Sequence, residues 1–218
     1  MIIAIDGPSG SGKSTLGRML ARELNLLYLD TGSMYRAVAL AVLEADVDPH
    51  DREAVVALAT NLNIGLEGDP DSLKVLLDGR DVTEQIRSES VTAMSSVVST
   101  IPGVRRAMVT RQRELGQRGA VLNGRDIGTV VFPNADVKFF LTATPKKRAE
   151  RRFKEDSLTR TGVSFDETMA EMIERDRRDS TRADSPLKAA DDAIVIDSSG
   201  LSIADVFAEM MKYVHRHH

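Results

Sequence analysis

Gly7-Pro8-Ser9-Gly10-Ser11-Gly12-Lys13-Ser14 stands between a short apolar run, Ile2 to Ile5 closed by Asp6, and a helical pattern that opens at Ser14. It matches G-x-x-x-x-G-K-[ST] at every fixed position. Upstream, the apolar run reads as a strand. Downstream, Leu16, Met19, Leu20 and Leu24 recur on one helical face, with Arg18, Arg22 and Glu23 on the other. Strand, glycine-rich loop and helix in this order predict a phosphate-binding loop. Glycines let backbone N–H groups approach phosphate oxygens, and the helix N-terminus adds favourable potential. The expected donor-nucleotide site is Gly7, Pro8, Ser9, Gly10, Ser11, Gly12, Lys13, Ser14 and Thr15. Lys13 is placed to bridge the β- and γ-phosphates of ATP, and the Ser14 hydroxyl to meet Mg2+.

Working outward, Leu26 to Leu29 predict a second strand ending at Asp30, followed by a helix over 33–43. Between Asn63 and Val82 the character changes. Leu73, Val75 and Leu77 alternate, and Asp78-Gly79 offers a tight hairpin turn, so a small antiparallel β-lobe is expected there. Helical segments follow, broken at Ile101-Pro102-Gly103. Ala120 to Leu122, Val137 to Leu141 and Ala193 to Ile196 predict three more core strands, with an arginine-rich helix between the last two. The closing helix starts at Ser202, where Asp205 completes a capping-box pattern, and carries an apolar stripe from Ile203 to Val214. Strands alternating with helices imply an α/β fold with a mostly parallel sheet covered on both faces.

With 218 residues, 42% hydrophobic and 28% charged, the chain can bury one sizeable core and carry small lobes. Its net charge of -4 gives no global basic field, so no nucleic-acid partner is expected. The absence of cysteine excludes disulfides, thiolate nucleophiles and Cys-based zinc sites. No apolar run approaches the ~18 residues of a membrane span, and no secretory leader precedes the first strand, which predicts a cytoplasmic protein with no membrane partner. Three of the four histidines crowd the last four positions, where a frayed tail is expected rather than a metal site. No exposed apolar stripe beyond the core calls for a partner chain, so a monomer is expected.

Three further stretches carry a family resemblance. Asp30-Thr31-Gly32-Ser33-Met34-Tyr35-Arg36 resembles the D-[ST]-G-[AS]-x-Y-R motif of the cytidylate kinases. Gly124-Arg125-Asp126-Ile127-Gly128-Thr129 resembles their G-R-D-[IM]-G-T motif. Arg175, Asp176, Asp179, Arg182, Pro186 and Leu187 resemble their R-D-x-x-D-x-x-R-x-x-x-P-L segment. The likeness runs in order along nearly the whole chain. It implies a P-loop kinase fold with a five-stranded parallel sheet, order 2-3-1-4-5. It also implies an acceptor lobe over 31–105 containing the β insert, and a short lid over 146–165. The implied reaction moves the γ-phosphate of ATP onto CMP or dCMP, with Mg2+.

The resemblance also distributes roles. Lys13, Arg36, Arg125, Arg152 and Arg178 would be catalytic, with Arg36 and Arg125 on the acceptor phosphate. Arg148 and Arg151 would face ATP beside the lid, near Arg160. Ser96, Arg105, Asp126 and Arg182 would read the cytosine, Arg175 and Asp179 would hold the sugar, and Thr31 and Tyr35 would lie beside the nucleotide. Ser14 would meet Mg2+ directly, and Asn123 through water. Asn123 departs from the family, which usually carries Asp or Glu there, and it brings no negative charge. Arginine suits such a site because its planar fork binds phosphate oxygens in pairs. The phosphate loop alone also fits a kinase for UMP, AMP or a non-nucleotide acceptor, or a nucleotide-dependent switch.

Overall fold

The computed structural model describes residues 1–157, 162 and 164–216. In chain order the strands are β1 (Ile2–Asp6), β2 (Leu27–Asp30), β3 (Ile64–Glu67), β4 (Lys74–Leu77), β5 (Arg80–Asp81), β6 (Ala120–Gly124), β7 (Val137–Thr142) and β8 (Ile194–Asp197). The helices are α1 (Lys13–Glu23), α2 (Thr31–Glu44), α3 (Arg52–Asn61), α4 (Glu89–Val98), α5 (Pro102–Gly116), α6 (Pro145–Asp156), α7 (Phe165–Thr181) and α8 (Ile203–Val214). The central sheet is parallel throughout, in the order β2-β6-β1-β7-β8. Counting core strands only, this is the expected 2-3-1-4-5. The second, antiparallel sheet has the order β3-β4-β5.

Alternation along the central strands divides the core in two. Ala4, Leu29, Ala120 and Leu122 point to one face, where they join Met34, Val38, Val104 and Met108 of α2 and α5. Ile3, Ile5, Val121, Phe139 and Leu141 point to the other, against Leu16 and Leu20 of α1 and Val206 and Met210 of α8. Each of these side chains larger than alanine contributes about 1.5–3 kcal/mol on burial, more than the ~1 kcal/mol of a typical helix cap. Sheet–helix packing therefore sets the frame, and the caps set where each helix starts. The small sheet adds Leu66, Val75 and Leu77 to the first of these cores. Its β4–β5 hairpin turns on Asp78 (φ 51°) and Gly79 (φ 83°), both left-handed as a two-residue turn requires.

Element boundaries moved where side chains intervene. The helix expected from residue 33 starts at Thr31, because the Asp30 side chain accepts the Gly32 N–H and caps it. Leu26 bonds back to Ala21 at the exit of α1, which delays β2 to Leu27. Ala193 closes a turn onto Ala190, so the last strand runs Ile194–Asp197. The single arginine-rich helix is two, α6 and α7, and Ser164 opens α7 with a capping box on Glu167. Ser202 and Asp205 form the expected capping box at α8. Part of the expected lid, including Arg160, lies outside the described residues. Among the described residues no helix is long and apolar enough to cross a membrane.

Candidate active site

The C-terminal ends of the central strands meet at one rim, the place where open α/β sheets collect ligands. There Asp6 pairs with Gly124 and Phe140, and Asp30 with Asn123. The loop after β1 is shaped by Gly7 (φ 146°), Gly10 (φ 72°) and Gly12 (φ 97°). A Cβ at Gly7 would lie 2.1 Å from the Leu141 carbonyl oxygen, and one at Gly10 2.7 Å from that of Arg148. Neither position admits a side chain.

The α1 N-terminus carries no side-chain cap and no acidic residue in its first turn. By contrast α2, α3, α4, α6, α7 and α8 each have a capping side chain. An uncapped N-terminus behind a glycine loop offers its N–H groups to an anion. The Lys13 ammonium reaches back to the Pro8 carbonyl at 2.7 Å. Burial drives its pKa well below the ordinary lysine value, and Arg125 and Arg175 push the same way. A polyphosphate would remove that frustration.

One cleft runs from this loop to α4 and α5. Of the expected site residues, Ser9, Gly10, Gly12, Lys13, Ser14, Thr15, Thr31, Tyr35, Arg36, Arg105, Asn123, Arg125, Asp126, Arg152, Arg175, Asp179 and Arg182 line it. Gly7, Pro8 and Ser11 of the loop do not line the cleft. Ser96 and Arg178 line a smaller depression that shares Ser99, Arg175, Asp179 and Arg182 with the cleft. Arg148 and Arg151 do not line the cleft. Arg148 is buried behind the loop, where it bonds the Ser9 and Ala143 carbonyls and Asp176. Arg151 bonds the Gly10 carbonyl and both oxygens of Ser198. Both guanidiniums meet loop carbonyls and brace the loop from behind.

Asp30, Ser95, Ser99 and Glu155, for which the sequence pattern predicts no site role, also line the cleft. Helical spacing carried a signal for two of them. Ser95 of α4 and Ser99 at its C-cap are four residues apart, one turn on along the same face, as are Ser96 and Thr100 on the flank.

The cleft holds seven cationic and four acidic side chains, against a net charge of -4 for the whole chain. Its walls are pre-set by ion pairs. Arg125 Nε bonds Asp179 Oδ2 at 2.8 Å, and Arg182 lies 3.7 Å from Asp179 Oδ1 and 3.8 Å from Asp126 Oδ1. Arg105 Nη2 donates to Asp126 Oδ2 at 2.5 Å, and the guanidinium stacks 5.6 Å above the Tyr35 ring. Burial pushes the Tyr35 phenol up to about 12. Burial lowers Arg175 to about 10, with Arg125 adding to the effect and Asp179 opposing it. Burial would raise Asp179, but Arg125 and Arg175 outweigh it and hold the carboxyl below its ordinary range. The Arg182 Nη2 and Arg105 Nε groups are buried without hydrogen-bond partners, which leaves donors waiting in the pocket.

The residues also fit a magnesium ion. Asn123 Nδ2 donates to Ser14 Oγ at 3.2 Å, and Asn123 Oδ1 is buried without a partner. Among the described residues no cluster of three or more His, Cys, Asp or Glu could make an all-protein metal cage. One hydroxyl and one amide oxygen suit Mg2+, which keeps most of its shell for water and phosphate. Thr31 Oγ1 bonds the Asn123 carbonyl at 2.8 Å and holds this corner together.

The cytidylate kinase family profile matches residues 3–216. A cytidylate kinase of Corynebacterium efficiens is 48% identical over 97% of this chain and 93% of its own length. One of Solibacter usitatus is 49% identical over 98% of this chain and 92% of its own. The fold is shared with a crystal structure of an uncharacterized protein from Eubacterium ventriosum, at TM-score 0.54 and 12% identity over 99% of this chain and 98% of that one.

Proposed function

Because the chain belongs to the cytidylate kinase family, and is a nucleoside monophosphate kinase acting on CMP or dCMP, we propose that ATP is its donor and that the cleft divides into a donor end and an acceptor end. The donor end is the loop over residues 7–15. The acceptor end is the set Thr31, Tyr35, Arg36, Ser96, Arg105, Arg125, Asp126, Arg175, Asp179 and Arg182, with Arg152 and Arg178 at the rim. The carrying observation is the buried Arg105–Asp126–Arg182 group that lines the same cleft as Lys13.

Cytosine presents an amino donor and two acceptors, N3 and O2. Asp126 Oδ1 can accept from the amino group, and the unpartnered Arg182 Nη2 can donate to the ring. Uracil reverses both the exocyclic group, which becomes an acceptor, and N3, which becomes a donor, so the same pocket would leave buried groups unpaired. Arg36 and Arg125 fit the acceptor phosphate, and Lys13 with the α1 N-terminus fits the donor phosphates. No side chain need form a covalent intermediate. Positioning and charge neutralisation suffice for a loose phosphoryl-transfer transition state. Magnesium, held by Ser14 and by Asn123 directly or through water, would neutralise charge on the donor phosphates. The acceptor lobe over 31–105 and the lid over 146–165 would close to keep water out, in a monomeric cytoplasmic enzyme.

A coupled ADP-release assay over all ribo- and deoxy-monophosphates tests this reading. CMP and dCMP should exceed UMP in kcat/KM by roughly 10²-fold. The highest value with AMP or a non-nucleotide acceptor would refute it.

A further inference from the structure

Asp6 lies outside the roles assigned above. It closes β1 one residue before the phosphate loop and is almost fully buried, at 4% exposure. Its carboxylate reaches across the sheet to the segment that follows Arg125 and Asp126. Oδ1 accepts from the Ile127 N–H at 2.8 Å, and Oδ2 from the Gly128 N–H at 2.7 Å. These two residues open a π-helical turn, Ile127–Val131. Inside the turn, Val130 and Val131 bond back to the Asp126 carbonyl and Phe132 to that of Ile127. The first N–H groups of any helical turn lack internal partners and need an outside acceptor.

Asp126 occupies the position from which an aspartate ordinarily supplies that acceptor. It makes no such cap. Its carboxylate turns instead to Arg105 and Arg182 in the cleft. Asp6 does the capping from another strand. The approach is close: a Cβ on Gly128 would lie 3.4 Å from Asp6 Oδ2 and 3.1 Å from the Lys138 stem. Arg113 fixes the other end of the turn through the Val130 and Val131 carbonyls.

We propose that Asp6 is a positioning residue for acceptor recognition. By capping the turn at Ile127 and Gly128 it releases the Asp126 carboxylate for the acceptor base and sets the direction of Arg125. The inference rests on the acceptor reading of Arg125 and Asp126. It is also consistent with cost. Burial pushes the Asp6 carboxyl up to about 6, with Asp126 adding to the effect and Lys13 and the two N–H bonds opposing it. A buried carboxylate held at such a disadvantage is a poor device for stability alone.

The test is Asp6→Asn, which keeps the shape but turns one acceptor into a donor facing an N–H. Steady-state kinetics should show KM for CMP raised on the order of 10-fold, the CMP-over-UMP preference reduced to a similar degree, and KM for ATP unchanged. An equal rise in both KM values, or no change in either, would overturn the inference, because a merely structural role predicts no split. If the Asn variant does not fold, Asp6→Ser, smaller and still an acceptor, is read in the same way. The two readings fail separately. Wild-type enzyme without a CMP preference refutes the acceptor reading, whereas a CMP-preferring wild type with an unsplit variant refutes the role of Asp6 alone.

Discussion

Asp6 and Asn123 are polar side chains set where burial alone would select hydrocarbon, and Asp6 carries a measurable signature of that setting. For Asp6 the signature is a pH dependence. Its carboxyl sits at about 6 in the fold against an ordinary value of 3.8. Between those values the folded chain holds a proton that the unfolded chain has released. Its contribution to stability is therefore fully present below pH ~4 and is lost as pH rises through ~6. About two units correspond to roughly 3 kcal/mol as an upper bound. Asp6→Asn cannot ionise, so it should gain on wild type as pH rises from ~4 to ~7. Urea denaturation across that range measures the difference, and a gap that does not change with pH would contradict the shift. At Asn123, Nδ2 donates to Ser14, and the side-chain oxygen, which carries no negative charge, is buried without a hydrogen-bond partner. A neutral oxygen still serves as a ligand for Mg2+ or for a water on it, but it attracts the ion less than a carboxylate would.

At the scale of elements, the phosphate loop is held from behind as much as it is shaped by its glycines. Arg148 ties the Ser9 carbonyl to Asp176 of α7, and Arg151 ties the Gly10 carbonyl to Ser198 beyond β8. The phosphate loop is therefore mechanically coupled to α6 and α7. Arg148→Met keeps the apolar stem but strands Asp176 and the Ser9 carbonyl. Removing one partner of a buried pair costs about 3–5 kcal/mol. Guanidinium denaturation should show that loss, and KM for ATP should rise more than KM for CMP. Adding Asp176→Leu should recover stability without recovering ATP affinity, and full recovery of both would assign Arg148 to stability alone. This bracing marks where the sequence was legible and where it was not. The strand–loop–helix opening, the Asp78-Gly79 turn and the strand order could be read because each rests on local spacing, turn chemistry or a quoted motif. The turn of Arg148 away from the cleft could not, because a cluster of arginines on one helix has no sign that says which guanidinium meets a carbonyl. Ser95 and Ser99 were recoverable from helical spacing. The Asp6 bond to Ile127 and Gly128 was not, since its partners lie 121 and 122 residues away.

For the whole molecule, the controlling fact is a cationic cleft in an acidic chain. α4 and α7 face each other across a depression lined by Ser96 of α4, with Ser99 and Thr100 just beyond it, on one wall and by Arg175, Arg178 and Asp179 of α7 on the other. Arg125 and Arg175 each disfavour the charge on Lys13, and Arg36, Arg125 and Arg152 disfavour that on Arg175. Like charges in a partly dry cleft repel strongly because screening is weak there. Nucleotide phosphates cancel that repulsion, so ligand charge should draw the two walls together. Thermal shift cannot establish this, because any ligand at ~100 times its Kd adds ~2.7 kcal/mol by mass action alone. Amide exchange within α4 and α7 can. With CMP and a non-hydrolysable ATP analogue together, exchange in both helices should slow well beyond the effect of either nucleotide. Cytidine and adenosine at saturation, which fill the base pockets without phosphates, should leave it near the free rate, and 1 M salt should weaken the nucleotide effect. Equal protection by the uncharged nucleosides would mean that base stacking closes the cleft, and the charge argument would fall.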